Sequence, residues 1–182
     1  MKISVFILFC FMQLVCAKNK LDAPSFGIYL LKNPEIVNAS KEPSDFDPDK
    51  FNLDSVIVYD DPVISEKDII EYDWNKHTIL IDTSIINKLP ELNTRGNPFI
   101  VIANGKRCYI GMFWTGLSSF RPPKIPIIDI TGLKKLKLPI PDINNIRDDG
   151  TFKLLISNDI GNKIIKNKII YNTLKKLGKL KE

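Results

Sequence analysis

At 182 residues, 44% hydrophobic, 26% charged and 9% aromatic, the chain has the make-up of an ordinary globular protein, which excludes a disordered or low-complexity polymer. Its formal charge of +5 is unevenly divided: residues 18–82 carry 7 lysines against 14 acids, and residues 83–182 carry 18 basic residues against 7 acids. An acidic front and a basic back that pack together cancel much of each other's field, so the division does not argue for a nucleic-acid partner.

The chain opens MKISVFILFCFMQLVCA, with Lys2 ahead of an apolar run from Ile3 to Val15 and small residues at Cys16 and Ala17. This is the pattern of an export signal over residues 1–17, cut before Lys18, and the run is shorter than the ~20 residues of a membrane span. The competing readings are an uncleaved anchor, a buried N-terminal strand, or lipidation of Cys16 as the first residue of a bacterial lipoprotein, for which Val15 is a poor preceding residue. Cleavage removes Cys10 and Cys16 and leaves Cys108 alone, so no internal disulfide is expected. What remains is a single exported α+β domain over residues 18–182, periplasmic or secreted, large enough to be held by its core alone.

Ser25 to Leu31, SFGIYLL, reads as a strand closed by Asn33-Pro34. Too little apolar surface follows in NASKEPSDFDPDKFNLD for anything but a surface loop, and extended character resumes from Val56 to Tyr59. Ser65 then stands as an N-cap with Asp68 three residues on and with Ile64 and Ile69 as a hydrophobic staple, which predicts a helix from Glu66 to about Tyr72. His77 to Ile81 is a strand, and Asp82, Thr83 and Ser84 offer caps for a second short helix, SIINKL, stopped by Pro90.

Two apolar runs around Asn104-Gly105 predict a β-hairpin over residues 98–113, turning through a type I′ turn. In that register Ala103 faces Lys106, Val101 faces Cys108 and Phe99 faces Ile110, so Phe99, Val101, Cys108, Ile110 and Met112 share one face. A Gly-, Ser- and Pro-rich loop from Thr115 leads to the strand IPIIDI, a basic connector KKLKLPIPDINNIRDDG and a further strand TFKLLIS. Ile170, Leu174 and Leu177 place an apolar stripe on a helix near Asn167 to Leu177, which Gly178 ends. The expected fold is α+β: a mixed or antiparallel sheet around the 98–113 hairpin, two short helices and a C-terminal helix.

Chemistry-bearing residues are sparse. His77 is the sole histidine, and a thiol at Cys108 buried among aliphatics is inert, so neither a Cys-His pair nor a zinc cluster is indicated. Asp45, Asp47 and Asp49 copy the first ligand positions of an EF-hand loop, but Lys50 stands where Gly is needed and Val56 where the bidentate Glu belongs. Asn38-Ala39-Ser40 fits a glycosylation acceptor. The basic segment from Lys163 to Lys181 suits an anionic surface, although its apolar stripe has the more ordinary task of packing on the sheet. No cofactor motif is present. The candidate contact surface is the loop FWTGLSSFRPP, where Trp114, Leu117, Ser118, Ser119, Phe120 and Arg121 follow a rigid hairpin; the competing reading has Trp114 and Phe120 plugging the core.

The succession DPVISEKDII, HTILIDTSIINKL and GNPFIVIANGKRCYIG, within residues 62–113, is similar to the first periplasmic head domain of SecD-type translocase subunits, and to small exported bacterial proteins that carry such a segment alone. The resemblance implies a βαβαββ-like core and a non-enzymatic role in contact with proteins or peptides outside the membrane. The chain lacks the translocase's transmembrane bundle, so translocation itself is not implied. The expected function is an exported, non-enzymatic binding module with a cell-envelope or extracellular partner. The alternatives are an exported hydrolase or weak divalent-metal-dependent enzyme, and a membrane-surface protein using the basic C-terminal half.

Overall fold

Gly, Pro and Asx turns cut the apolar runs into short strands, and the structure, a computed structural model, describes residues 25–39, 41–91, 93–131, 151–157 and 167–182. Among these residues the strands are β1 (Phe26–Leu30), β2 (Ile64–Ser65), β3 (Ile69–Asp73), β4 (Thr78–Asp82), β5 (Asn97–Ala103), β6 (Lys106–Trp114), β7 (Ile127–Asp129), β8 (Thr151–Ser157) and β9 (Leu180–Lys181). The α-helices are α1 (Glu35–Asn38) and α2 (Lys168–Lys176). The expected signal over residues 1–17 with Cys10 and Cys16, the connector over residues 134–150, and Ser40 lie outside the described residues.

The strands form one mixed sheet in the order β2-β1-β5-β6-β7-β8-β4-β3-β9, so the fold is α+β. Pairing is antiparallel except between β6 and β7 and between β3 and β9. Connectivity forces this sheet to curl. β2 and β3 stand seven places apart in the order, about 33 Å in a flat sheet at ~4.8 Å per strand. Only residues 66–68 join them, a reach of ~14 Å at full extension. The two ends of the sheet are therefore drawn together into a roll. Inside it lies the first core, with Ile28, Ile64, Ile69, Tyr72, Ile79, Phe99, Val101 and Phe113, and α2 adds Ile170 and Leu174 while contacting β1, β5 and β9.

The C-terminal helix follows its sequence signals. Asn167 accepts a hydrogen bond from the Ile169 backbone N–H (2.8 Å), Lys175 and Lys176 occupy the last turn, and Gly178 takes the left-handed conformation at φ 67°. The chain then returns as β9 beside β3.

The helix expected at Glu66–Tyr72 is not formed. Asp68 does reach back to Ser65, accepting from its backbone N–H (2.8 Å) and its hydroxyl (2.6 Å), but these bonds close a β-turn in which the Asp68 N–H donates to the Ser65 carbonyl (3.1 Å). A capping pair and a tight turn share this first hydrogen-bonded ring, and the β-branched run after it decides between them. Ile69 and Tyr72 enter the core from β3, with Ile70 exposed between them. SIINKL, in turn, is 3₁₀ in form over Thr83–Lys88, capped by Asp82 through Ser84 N–H (2.7 Å), and it buries Ile85.

The hairpin turns where expected: Asn104 and Gly105 both hold positive φ, 49° and 71°, as a type I′ turn requires. Its register differs beyond the first pairs. Ala103 faces Lys106 and Ile102 faces Arg107, but Val101 then faces Tyr109 and Phe99 faces Gly111. Cys108 is the extra residue of a β-bulge, and one inserted residue moves every later side chain to the opposite face. Tyr109 and Phe113 thus join Phe99 and Val101 in the first core, whereas Ile110, Met112 and Trp114 join Ile100 on the other face.

That other face carries a second core, and the segment expected to be a featureless loop covers it. Val37 of α1, Phe46 and Val56 are buried there, between short 3₁₀ turns at Pro43–Asp45, Pro48–Lys50 and Leu53–Ser55. The Arg107 guanidinium donates to the carbonyls of Leu53 (2.5 Å) and Val56 (2.8 Å), and Arg95 donates to those of Asn38 (3.4 Å) and Lys41 (3.3 Å). Two arginines replace the regular hydrogen-bond ladder that this polar stretch cannot supply.

Candidate functional site: a groove beside the first strand

The segment that returns along β1 does not stay paired with it. Val58 bridges to Leu31, while Ile64 pairs with Ile28, so six residue steps on one side span three on the other. The surplus bows outward as Tyr59-Asp60-Asp61-Pro62. Sequence chemistry explains why: proline has no N–H to give a ladder, and adjacent aspartates cannot be buried without partners. The bow leaves a groove of about 970 Å³, lined by Gly27 and Tyr29 of β1, by Asp61 and Pro62, and by Glu66 and Ile102.

Gly27 permits the groove's floor. A Cβ at this position would come within 2.6 Å of the Tyr29 ring and 3.1 Å of Pro62, so only glycine lets the ring lie across the strand. Tyr59 stands 52% exposed at the rim, and the Lys32 ammonium lies 5.6 Å from the Tyr59 ring centre.

Four carboxylates line the groove, and they are not equivalent. Asp60 pairs with Lys32 (3.4 Å) and Asp68 with Lys88 (2.9 Å). Asp61 and Glu66 make no ion pair among the described residues; Glu66 only accepts a hydrogen bond from the Phe26 backbone N–H (3.3 Å). Burial pushes the Tyr29 hydroxyl above its ordinary pKa, and the negative charges of Glu66 and Asp61 push it further.

Asp68 has a structural task. Burial pushes its carboxyl up, but hydrogen bonds from the Ser65 hydroxyl and the Lys88 ammonium outweigh burial and hold it below the usual aspartate value. A depressed folded-state pKa contributes stability above the unfolded value of about 3.9, and that contribution is lost as pH falls through the folded value. Asp68→Asn should therefore cost about 1 kcal/mol at neutral pH. Urea unfolding should also show stability falling less steeply below about pH 4 than in the native chain.

The loop expected to form the contact surface is divided between core and solvent. Trp114 is 5% exposed and packs in the second core, the placement of the competing reading. Phe120 packs at the edge of that core with the Arg95 guanidinium 4.9 Å from its ring centre. The Ser118 hydroxyl donates to the Thr94 carbonyl and accepts from the Phe120 N–H (3.1 Å). Leu117, Ser119 and Arg121 face solvent.

The remaining candidates are placed as follows. His77 occupies the β3–β4 turn at φ 50° with its ring 6.1 Å from that of Trp74, and its carbonyl accepts from Ile156 N–H (2.9 Å). Burial raises the Cys108 thiol, which sits in the bulge with Sγ 3.4 Å from the Lys106 carbonyl. Asp47 caps a 3₁₀ turn through Asp49 N–H (3.1 Å) and pairs with Lys50 (3.0 Å). Among the described residues no group of three or more His, Cys, Asp or Glu is arranged to hold a metal ion. Asn38 ends α1. On α2, Ile170 and Leu174 are spent in the core, leaving Lys168, Lys175 and Lys176 outward without an apolar face between them.

The sequence carries one local sign of the groove, although not of its shape. Tyr-Asp-Asp-Pro directly after an apolar strand couples an aromatic to two charges and a residue that cannot pair, which is a signal for chain leaving a sheet edge. No helix among the described residues is long and apolar enough to cross a membrane. Compared with known proteins, the chain matches no family model, no curated protein and no solved structure.

Proposed function

We propose that the protein is an exported, non-enzymatic binding module whose contact surface is the groove beside β1. The observation that carries this reading is the outward bow of residues 59–62, which opens about 970 Å³ against Tyr29 and leaves Tyr59 half exposed at the rim. A volume near the upper end of the ~300–1,000 Å³ range of ligand sites, with an aromatic floor and a few charged groups, is what recognition of a small segment or molecule uses. Tyrosine supplies contact area at little cost in side-chain entropy. The export-signal pattern of the N-terminal segment, Lys2 ahead of an apolar run from Ile3 to Val15, and the likeness to an extracytoplasmic head domain support placement outside the membrane.

Site-specific photo-crosslinking in cells that export the full chain tests the reading, with the reactive group placed in turn at positions 59, 70 and 117. Ile70 and Leu117 are exposed positions elsewhere on the molecule, 45% and 53%, and serve as references. A discrete adduct from 59 that the other two do not give is the expected result. An adduct from 117 and not from 59 would return the contact surface to the loop after β6, and equal labelling from all three would remove the groove.

A further inference from the structure

Resting on the groove as contact surface, we infer that its occupant is an extended peptide segment bearing lysine or arginine, with the cationic head between Asp61 and Glu66 and the aliphatic stem against Tyr29 and Tyr59. Charge complementarity carries the choice. Of the four acids in the groove, Lys32 and Lys88 already answer Asp60 and Asp68. The negative charge left over belongs to Asp61 and Glu66, and Lys67 is the remaining cation of the lining. Both carboxylates act on the Tyr29 hydroxyl, so their fields converge over the same part of the floor.

Geometry selects a long side chain over a compact ion. The floor is a tyrosine ring laid over Gly27, and the rim holds a second tyrosine, so aromatic surface and acids line the same groove. Lysine and arginine have that two-part form, an alkyl stem that packs on rings and a charged head that seeks carboxylates. A divalent ion would need several oxygens converging on one point. Asp60 and Asp68 are already paired with Lys32 and Lys88, which leaves only two carboxylates of the lining for such an ion.

The test measures binding of a fluorescein-labelled, end-capped hexapeptide of alternating lysine and alanine to the full exported chain, by anisotropy at low ionic strength. Calcium, spermidine and the matching glutamate peptide are run as competitors. Saturable binding is expected for the lysine peptide, with Asp61→Asn/Glu66→Gln weakening it roughly tenfold or more, the loss usual for removing charged partners. Glu66→Gln keeps an oxygen for the Phe26 N–H, and unchanged melting would show that the fold survives.

Charge reversal by Asp61→Lys/Glu66→Lys should transfer preference to the glutamate peptide, a gain that misfolding cannot imitate. Equal binding to native and double-variant protein overturns the inference, as does displacement by spermidine or calcium at concentrations where unlabelled lysine peptide fails. If the lysine peptide does not bind although position 59 still crosslinks a discrete partner, the groove stands and the cationic occupant falls. Failure of both removes the groove itself.

Discussion

Gly111→Ala should destabilise the protein by about 3 kcal/mol, the upper part of the range for overpacking a full core. The β-bulge at Cys108 sets Gly111 opposite Phe99, and a Cβ there would lie 2.4 Å from the Phe99 ring and 2.8 Å from the Pro126 carbonyl oxygen. A ring tip can turn aside. A carbonyl in the backbone leading into β7 cannot, because the Met112 N–H donates to that oxygen (2.9 Å) and β7 then pairs with β6. Phe99 has no spare room either, being buried with its ring centre 4.9 Å from that of Phe113. Urea unfolding should show the midpoint falling with the slope unchanged, while Gly116→Ala, whose Cβ would meet Thr131 Oγ1 at an ordinary 3.6 Å, should leave it in place. A cost below about 1 kcal/mol for Gly111→Ala would mean that β6 and β7 are not held as described.

Leu174→Ala should cost about the same, near 3 kcal/mol within the 2–5 typical of a buried leucine. Leu174 is fully buried in the first core, and α2 is the element that touches β1, β5 and β9 together. A cavity under this helix loosens the roll where its two ends approach. Hydrogen exchange should accordingly quicken at β1 and β3, which are far from residue 174 in sequence, before it quickens at the β5–β6 turn. Exchange confined to α2 would show the helix to be an appendage and not the closure.

Strand positions were legible wherever apolar runs met strong turn residues, as at Asn104-Gly105 and at the Asn33-Pro34 close of β1. The α+β class followed from those and from the capped, striped C-terminal helix. What escaped depends on information that a local window does not hold. Ser65 and Asp68 make the same hydrogen bonds at the start of a helix and in a tight turn, and only the demand for Ile69 and Tyr72 in a common core settles which. The bulge at Cys108 leaves no mark in the apolar pattern because both faces of β6 are buried, so alternation of burial is absent. Likewise the groove depends on two unequal chain lengths between pairing points, and pairing partners are a property of the folded sheet.

The order of the strands also governs when the molecule can close. β3 and β4 form early in the chain, yet β4 must wait for Thr151–Leu155 to cover its edge, and Glu71 meets Lys181 across 110 residues. While the chain is being synthesised from its N-terminus, these two strands therefore stand with bare hydrogen-bonding edges and an unfilled apolar face. Such long-range pairing places folding toward the slow end for a domain of this size, after residues 151–157 and 180–181 have been made rather than before. Until the last strand docks, the molecule is open to capture by any helper that reads exposed strand edges.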